Sequence, residues 1–502
     1  MTGMRKRLAP VARGTMPSET TAQADERARL GQTVLIAVTF ALFVYAWWFP
    51  FNVLLDTPWI DITALEPALL IGALTVLAVR GWRSVTRSDL RWMALTTVFF
   101  TWLLATALLR GNGADVKRAT AYIAFTAIAM AVAFIAARLG RERAGRWLMW
   151  FFVVALGVAV ASAVLEHLTY DPAPASDPLA WLWALVRPQV ALDVPNVGVM
   201  RHPPLHFAFG GGAIRTTGIF GHPLYMAFFA LLAAGLFAAI VMVAWRELSI
   251  TRRALLMIAL GAAAGLCYWT YSRAPLAGLL AIVGVVALLG VAIAYRRGHP
   301  ESRRRALIPA AAVLLTVAAS LTLAVTLDDA LLQRFLGTAN ALEDVEVEPG
   351  SVAGSAAQAT NVRLRLQGVA IEMLTDSPRS ALAGPGLTAY ELRLKSESEI
   401  VQRFTHPHSA WLTQSLLGGV VGAVLFGALL ALAAWHALRS ISGAPGHYSR
   451  VMLIWTAAWI PVWSLIQVFG LNPVAPGEAV IVGSMLGIAF GHAGTTRSSP
   501  SR

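Results

Sequence analysis

Long uncharged apolar runs recur along this 502-residue chain and constrain its fold more than any other feature. Apolar residues make up 57% of the sequence and charged residues only 13%, with a mean hydropathy of +0.63. A bilayer core offers no water to backbone polar groups, so such runs cross it as helices of about 20 residues. The pattern predicts an all-α, polytopic integral membrane protein.

We predict about twelve transmembrane helices in a membrane domain over residues 31–492, with polar tails at 1–30 and 493–502. The predicted spans are 31–54, 62–79, 92–109, 119–137, 147–166, 223–245, 254–271, 274–295, 306–327, 409–438, 451–470 and 476–491. The last of them is short and Gly-rich. No removable signal peptide is expected, because the basic start runs through polar Ser18–Asp25 before a full-length first span.

Basic residues are concentrated on one side of the predicted membrane. Most of the 40 Lys and Arg residues lie in the two tails and in the short segments that follow the even-numbered spans. By the positive-inside rule this side is cytoplasmic, and both termini lie there. The net charge of +13 is therefore attributed to topology rather than to nucleic-acid binding, which would need a basic soluble domain.

Two long loops, 167–222 and 328–408, are predicted on the opposite side. Loops of this length between membrane helices are uncommon unless they carry function. The single cysteine, Cys267, falls inside a predicted span, so no intrachain disulfide is expected to join the loops. We interpret Cys267 as a small core residue.

The segment from His406 to Gly422 places a histidine pair where the polar loop 328–408 enters a hydrophobic helix. A side chain at that junction is held by a rigid span on one side and is open to water-borne substrate on the other. Because imidazole exchanges a proton near neutral pH, His406 and His408 are candidates for a catalytic base.

Two arginines lie near the predicted outer boundary, where the positive-inside rule does not account for them. Arg215 precedes the sixth span, and Arg273 stands in the short turn between the seventh and eighth. A guanidinium is suited to bidentate binding of phosphate or pyrophosphate. The alternative is interfacial snorkelling, or pairing with Asp193 or Glu166.

A metal site is a further possibility, because several histidines share the outer side. They are His167, His202, His206, His222, His406 and His408. They lack a helix-borne His-Glu-x-x-His pattern or cysteine pairs, so we expect no catalytic metal.

Together these stretches resemble the O-antigen ligase and polymerase superfamily of bacterial envelope glycosyltransferases. Ligases of that family carry a signature of His, then Asn, Ser or Gln, nine residues, Gly, two residues and Gly. His408-Ser409, nine residues and Gly419-Val-Val-Gly422 fit it throughout. The stretches 365–386, 215–223 and Ser272-Arg273 are similar to three further recurrent segments, so the resemblance covers about residues 205–430.

The resemblance implies a GT-C-like bacterial inner-membrane enzyme, without cofactor or metal, whose site is periplasmic. It would transfer a glycan, with inversion, from undecaprenyl pyrophosphate to an acceptor sugar, as in O-antigen ligation to lipid A-core. His408 would be the base, with His406 as the rival, and Arg215 and Arg273 would bind the pyrophosphate. Further candidate substrate contacts are Arg363, Arg365, Arg379, Arg403, His406 and His222.

Three other functions fit parts of the same sequence pattern. His222-Pro223-Leu224 stands where relatives often have Asn-Pro-Asn, so a polymerase that extends the lipid-linked glycan is the first alternative. A flippase or other transporter should line a central cavity with charge, whereas the main intramembrane acid, Glu66, lies near one end of its span. A structural envelope-assembly protein would leave the arginines and histidines unexplained. No nucleic-acid partner is expected.

Overall fold

The computed structural model of the chain describes residues 53–55, 62–63, 85–86, 89–169, 192–194, 198–200, 207–208, 214–215, 223–296, 300–343, 352–402, 404–444, 446–469 and 476–493. The helices are α1 (Leu90–Arg110), α2 (Gly113–Ile135), α3 (Arg141–Thr169), α4 (Pro223–Ala244), α5 (Ile250–Trp269), α6 (Arg273–Arg296), α7 (Pro300–Leu327), α8 (Ala330–Leu342), α9 (Val352–Thr375), α10 (Pro378–Ala383), α11 (Leu387–Leu394), α12 (Glu399–Gln402), α13 (Ala410–Ser440), α14 (His447–Ile466) and α15 (Pro476–Ala493). A π-helical turn, Ala136–Gly140, joins α2 to α3, and a 3-10 turn, Gln467–Phe469, follows α14.

Six short strands form three antiparallel ribbons outside these helices. They are β1 (Val53–Leu55) with β2 (Ile62–Thr63), β3 (Leu192–Val194) with β4 (Gly198–Met200), and β5 (Phe207–Ala208) with β6 (Ile214–Arg215). Residues 54 and 62 were expected at the helical edges of the first two spans, and that expectation was wrong. Asp56, Pro58 and Asp61 interrupt the apolar pattern between them and disfavour helix.

Within the described residues, nine helices are long and apolar enough to cross a membrane: α1 to α7, α13 and α14. A tenth apolar stretch, Glu478–His492, is shorter and belongs to α15. The expected fold class, an all-α polytopic membrane protein, is confirmed. The third to twelfth predicted spans each coincide with one of these ten helices. The first two fall almost wholly outside the described residues, so the total of twelve stays a prediction.

The bundle is arranged around two nearly enclosed helices. In the apolar 18-residue stretch of each helix, 89% of the residues of α4 and 78% of those of α14 are buried. The corresponding share in α7 is only 22%. Trp455 of α14 donates a hydrogen bond from its indole to the carbonyl of Leu232 in α4, at 3.1 Å. Helices α4 and α14 therefore form the centre, and α7 lies at the periphery, where its apolar surface faces lipid.

The segment predicted as the outer loop 328–408 is largely helical. It contains α8 to α12, of which α9 is the longest. Leu366, Val369 and Ala370 of α9 are completely buried, and their three- and four-residue spacing is that of an amphipathic helix. These helices pack on the end of the bundle where α13 begins.

Helix α13 is broken at Gly419, where φ is 64° and ψ is −168°. Only glycine adopts this region readily. The break leaves the preceding carbonyls without their intrahelical donors, and neighbouring groups replace them. Leu416 O accepts from Gly386 N at 2.9 Å, Leu417 O from Thr106 Oγ1 at 3.0 Å, and Gly418 O from Trp102 Nε1 at 2.7 Å.

Arg110, the last residue of α1, holds this joint together. Its Nη1 donates to the carbonyls of Ala383, Gly384 and Leu417 at 3.0, 3.2 and 2.9 Å. Its Nε donates to the buried carboxylate of Asp115 at 3.1 Å. One guanidinium therefore ties α1, the segment after α10 and the broken helix α13 into a single rigid unit.

Candidate functional site

His408 stands immediately before α13 in a backbone conformation that few non-glycine residues adopt. Its φ is 51°, and the next residue, Ser409, caps the helix by accepting a hydrogen bond from Leu412 N at 3.4 Å. A serine cap satisfies one of the free amides of the first turn. The left-handed backbone of His408 and the cap at Ser409 together fix the orientation of the His408 imidazole relative to α13.

A small aromatic cluster surrounds His408. Its ring centroid lies 4.3 Å from that of His406 and 5.1 Å from that of Phe404. Burial, reinforced by the charge of Arg363, lowers the pKa of His406 to about 4. His406 is therefore neutral at physiological pH and a weak proton acceptor, which favours His408 as the base of the pair.

Arg273 is the first residue of α6, directly after the turn at Tyr271 and Ser272. Its Nη1 donates to Thr360 Oγ1 of α9 at 3.1 Å and to the carbonyl of Arg334 in α8 at 3.4 Å. The Tyr271 hydroxyl donates to the Asp328 carboxylate. These contacts fix the start of α6 against α8 and α9.

Arg363 of α9 links Arg273 to the histidines. Its charge acts on both Arg273 and His406, so the three groups are neighbours. Burial lowers the pKa of Arg363 itself. In the described part of the chain, neither Arg273 nor Arg363 has a carboxylate within ion-pair distance. Two adjacent guanidinium groups whose charge is not neutralised attract an anion with several oxygens, such as a pyrophosphate.

The structure thus brings together four of the predicted site residues: Arg273, Arg363, His406 and His408. They come from the start of α6, from α9 and from the segment before α13. The cluster lies where the segment before α13 meets α9 and the start of α6.

Arg365 occupies a different environment, although it is only two residues from Arg363. It is exposed and donates to Glu397 at 2.7 and 2.8 Å and to Glu372 at 2.9 Å. Residues two apart on a helix face in nearly opposite directions. Arg365 therefore carries its own carboxylate partners, and its role in substrate binding stays a prediction. Arg379 is likewise exposed and reaches the carbonyl of Leu109 at 3.5 Å.

The side chains of three predicted site residues, Arg215, His222 and Arg403, lie outside the described residues. The backbone of Arg215 pairs with Phe207 in the ribbon β5–β6, but its side chain lies outside the described residues. His222 and Arg403 lie outside them entirely. The convergence of Arg215 with Arg273 and His408 stays a prediction.

Sequence reasoning missed the groups that support this cluster. Asp115 accepts from Thr388 N and Oγ1 at 3.0 and 2.9 Å, and Arg118 donates to both oxygens of Glu391 at 2.7 and 2.8 Å, so α2 anchors α11. The available signal was Arg110 at the outer end of a predicted span with Asp115 five residues later.

As for metals, no group of three or more His, Cys, Asp or Glu side chains that could hold an ion occurs among the described residues.

These features define a class: a multi-pass helical membrane protein with a cationic, histidine-bearing site at one end of its bundle. Residues 258–427 match the family model described as O-antigen ligase. The matched region contains Arg273, Arg363, His406 and His408, and it ends beyond the break at Gly419. The resemblance to the O-antigen ligase and polymerase superfamily is confirmed, and it supports glycosyl transfer of the ligase or polymerase type in lipopolysaccharide assembly. A comparison with curated proteins gives no match.

Proposed function

We propose that this protein transfers a glycan from undecaprenyl pyrophosphate to a sugar hydroxyl of an acceptor, and that the acceptor is lipid A-core. The observation that carries the proposal is the adjacency of Arg273 and Arg363, which have no carboxylate partners among the described residues, to His406 and His408. Two cations suit a pyrophosphate, and a neighbouring imidazole suits a hydroxyl nucleophile. The family match supports the same reaction type.

In the proposed reaction, His408 accepts the proton of the acceptor hydroxyl as the hydroxyl oxygen attacks the anomeric carbon. The bond between that carbon and the pyrophosphate oxygen breaks, and its electron pair leaves on the pyrophosphate. Attack from the face opposite the leaving group inverts the anomeric centre. Arg273 and Arg363, together with Arg215, stabilise the charge that develops on the leaving group.

The reaction needs neither nucleotide nor metal in this proposal, because the pyrophosphate ester is already activated. The distribution of basic residues supports cytoplasmic termini, so the site would open to the periplasm of a bacterial inner membrane. Lipid-linked glycan exposed in the outer leaflet would reach it laterally through the bilayer.

The test is glycan transfer by the purified protein with undecaprenyl-pyrophosphate glycan as donor, without nucleotide and with EDTA. Lipid A-core and a second molecule of donor are offered separately as acceptors. Transfer to lipid A-core is expected for the wild type. A product that grows only on the second donor would reassign the protein as a polymerase.

His408→Ala is expected to lower the rate by about 10²–10⁴-fold, the usual contribution of a general base. His447→Ala is the matched control, because His447 is half exposed and pairs with Glu247 at 3.1 Å, away from the cluster. A folded His408→Ala protein with wild-type transfer would remove His408 from the mechanism. If no variant transferred glycan but all moved the lipid across vesicles, the transporter alternative would replace the proposal.

A further inference from the structure

A second group of buried polar side chains lies inside the bundle, apart from the arginine and histidine cluster. Tyr122 and Gln414 are 0% exposed, Thr126 is 1% exposed and Glu478 is 4% exposed. The Tyr122 hydroxyl, the Thr126 hydroxyl, both polar atoms of the Gln414 amide and both Glu478 oxygens make no hydrogen bond to any described group. Buried polar groups are nearly always paired, so such a concentration calls for a ligand.

The four side chains converge from three helices. Tyr122 and Thr126 are one turn apart on α2, Gln414 is in the second turn of α13, and Glu478 is in the first turn of α15. The Tyr122 hydroxyl lies close enough to Thr126 and Gln414 for weak hydrogen bonding, and the Glu478 carboxyl acts on it through its charge. None of these pairs meets the full distance and angle criteria of a hydrogen bond.

Close packing fixes this arrangement. A Cβ built on Gly483 of α15 would lie 2.4 Å from the carbonyl of Thr126, so the backbones of α2 and α15 are in direct contact there. Helix α15 therefore cannot rotate Glu478 away from Tyr122 unless α15 and α2 separate.

The charge and the donor atoms identify the class of ligand. Glu478 is the one carboxylate that acts on the Tyr122 hydroxyl among the described groups, and no described Lys, Arg or His lies within ion-pair distance of it. A carboxylate in a low-dielectric interior stays ionised only beside a counter-charge and otherwise takes up a proton, so a bound cation at this site would compete with a proton. One carboxylate, one amide oxygen and two hydroxyls form a set of hard oxygen ligands, and their single negative charge matches a monovalent cation.

The size of the ion follows from the packing. The unpaired atoms are almost completely closed off from solvent, which favours a small ion that sheds its water shell and is coordinated directly by the protein oxygens. We propose that Tyr122, Thr126, Gln414 and Glu478 form a binding site for a sodium ion within the helix bundle. The ion does not touch the reacting groups, and the proposal is independent of the glycosyl-transfer function.

Gln414 links the proposed sodium site to the segment of α13 that begins directly after His408. This residue belongs to the segment of α13 between Ser409 and the break at Gly419, the same segment that carries His408 at its start. Bound sodium would cross-link that segment to α2 and α15 and would stabilise the folded protein by mass action.

The test uses the purified full-length protein in detergent. Saturable binding of ²²Na⁺ at one ion per chain is expected, together with a melting temperature that rises with sodium chloride but not with choline chloride. Glu478→Gln should abolish both effects. The matched control is Glu247→Gln, which changes an exposed glutamate and should leave both intact.

A second variant covers the case in which Glu478→Gln fails to fold. Tyr122→Phe removes a single oxygen ligand and should weaken the apparent sodium affinity by about tenfold, the equivalent of one polar contact to a charged group. Wild-type protein without saturable ²²Na⁺ binding would overturn the proposal. Sodium binding that is unchanged in folded Glu478→Gln or Tyr122→Phe would overturn the assignment of these ligands.

Discussion

Replacement of Gly419 by alanine is the sharpest test of how the site is built. A Cβ on Gly419 would lie 2.0 Å from the carbonyl oxygen of Leu382 and 2.5 Å from the amide nitrogen of Ala383. An ordinary contact begins at about 3.4 Å, so α10 and α13 would have to separate by about 1.4 Å, the difference between the two distances. The backbone conformation at Gly419 adds about 1–3 kcal/mol of strain for any other residue.

Separation of α10 from α13 would also displace His408, because His408 directly precedes the helical segment that ends at Gly419. A displacement of about 1 Å at a reacting group lowers a rate by roughly 10²-fold. Gly419→Ala is therefore expected to lose at least about 100-fold in kcat/KM for glycan transfer and to melt at a lower temperature than the wild type. Activity is compared only for the fraction that elutes as folded protein on size exclusion.

The second glycine of the signature provides the matched control. A Cβ on Gly422 would lie 3.4 Å from the carbonyl of Gln414 and 3.5 Å from Leu103, both close to ordinary contacts. Gly422→Ala should change the stability by less than about 1 kcal/mol and leave transfer nearly intact. Wild-type activity and stability in Gly419→Ala, or equal damage in both variants, would refute the account of the helix break.

The charged groups around the site give further predictions. Arg110→Met should lower the free energy of unfolding by about 3 kcal/mol, because it leaves the carboxylate of Asp115 buried without its cation; Arg365→Met, at an exposed arginine, should leave the melting temperature close to that of the wild type. Arg363→Gln should raise the pKa of His406 above about 4, while burial, the larger cause of the shift, keeps it below its ordinary value; NMR of labelled histidine measures the change. Because the folded-state pKa of His406 lies below its unfolded value of about 6.5, stability should fall as the pH drops from about 6.5 to about 4. His406→Gln should flatten that part of the curve, and a curve of unchanged slope would contradict the assignment.

The membrane helices could be predicted from sequence because the requirement that places them is local. An apolar run long enough to cross the bilayer must be helical, and α4 or α6 can be identified from its own residues alone. The junction at His408 was visible for the same reason, since Ser409 is a typical N-cap residue at the start of an apolar run.

The support of the site could not be predicted, because it depends on contacts between distant parts of the chain. Arg110 meets Gly384 and Leu417, which follow it by more than 250 residues. Arg363 and Arg365 look alike in sequence, and only the packing of α9 turns one towards the histidines and the other towards two glutamates. The helices between residues 328 and 408 were missed, although Leu366, Val369 and Ala370 carry the three- and four-residue spacing of an amphipathic helix.

The nine residues between Ser409 and Gly419 fix both the distance and the rotation between His408 and the break in α13. Each residue in a helix advances the chain by about 1.5 Å and turns it by about 100°. Arg110 and the Gly384 segment hold the chain at Gly419 in place. The number of residues between Gly419 and Ser409 therefore determines in which direction around the helix axis the start of α13 points. A single inserted residue would swing His408 about a quarter-turn away from Arg363, with every side chain of the cluster still present.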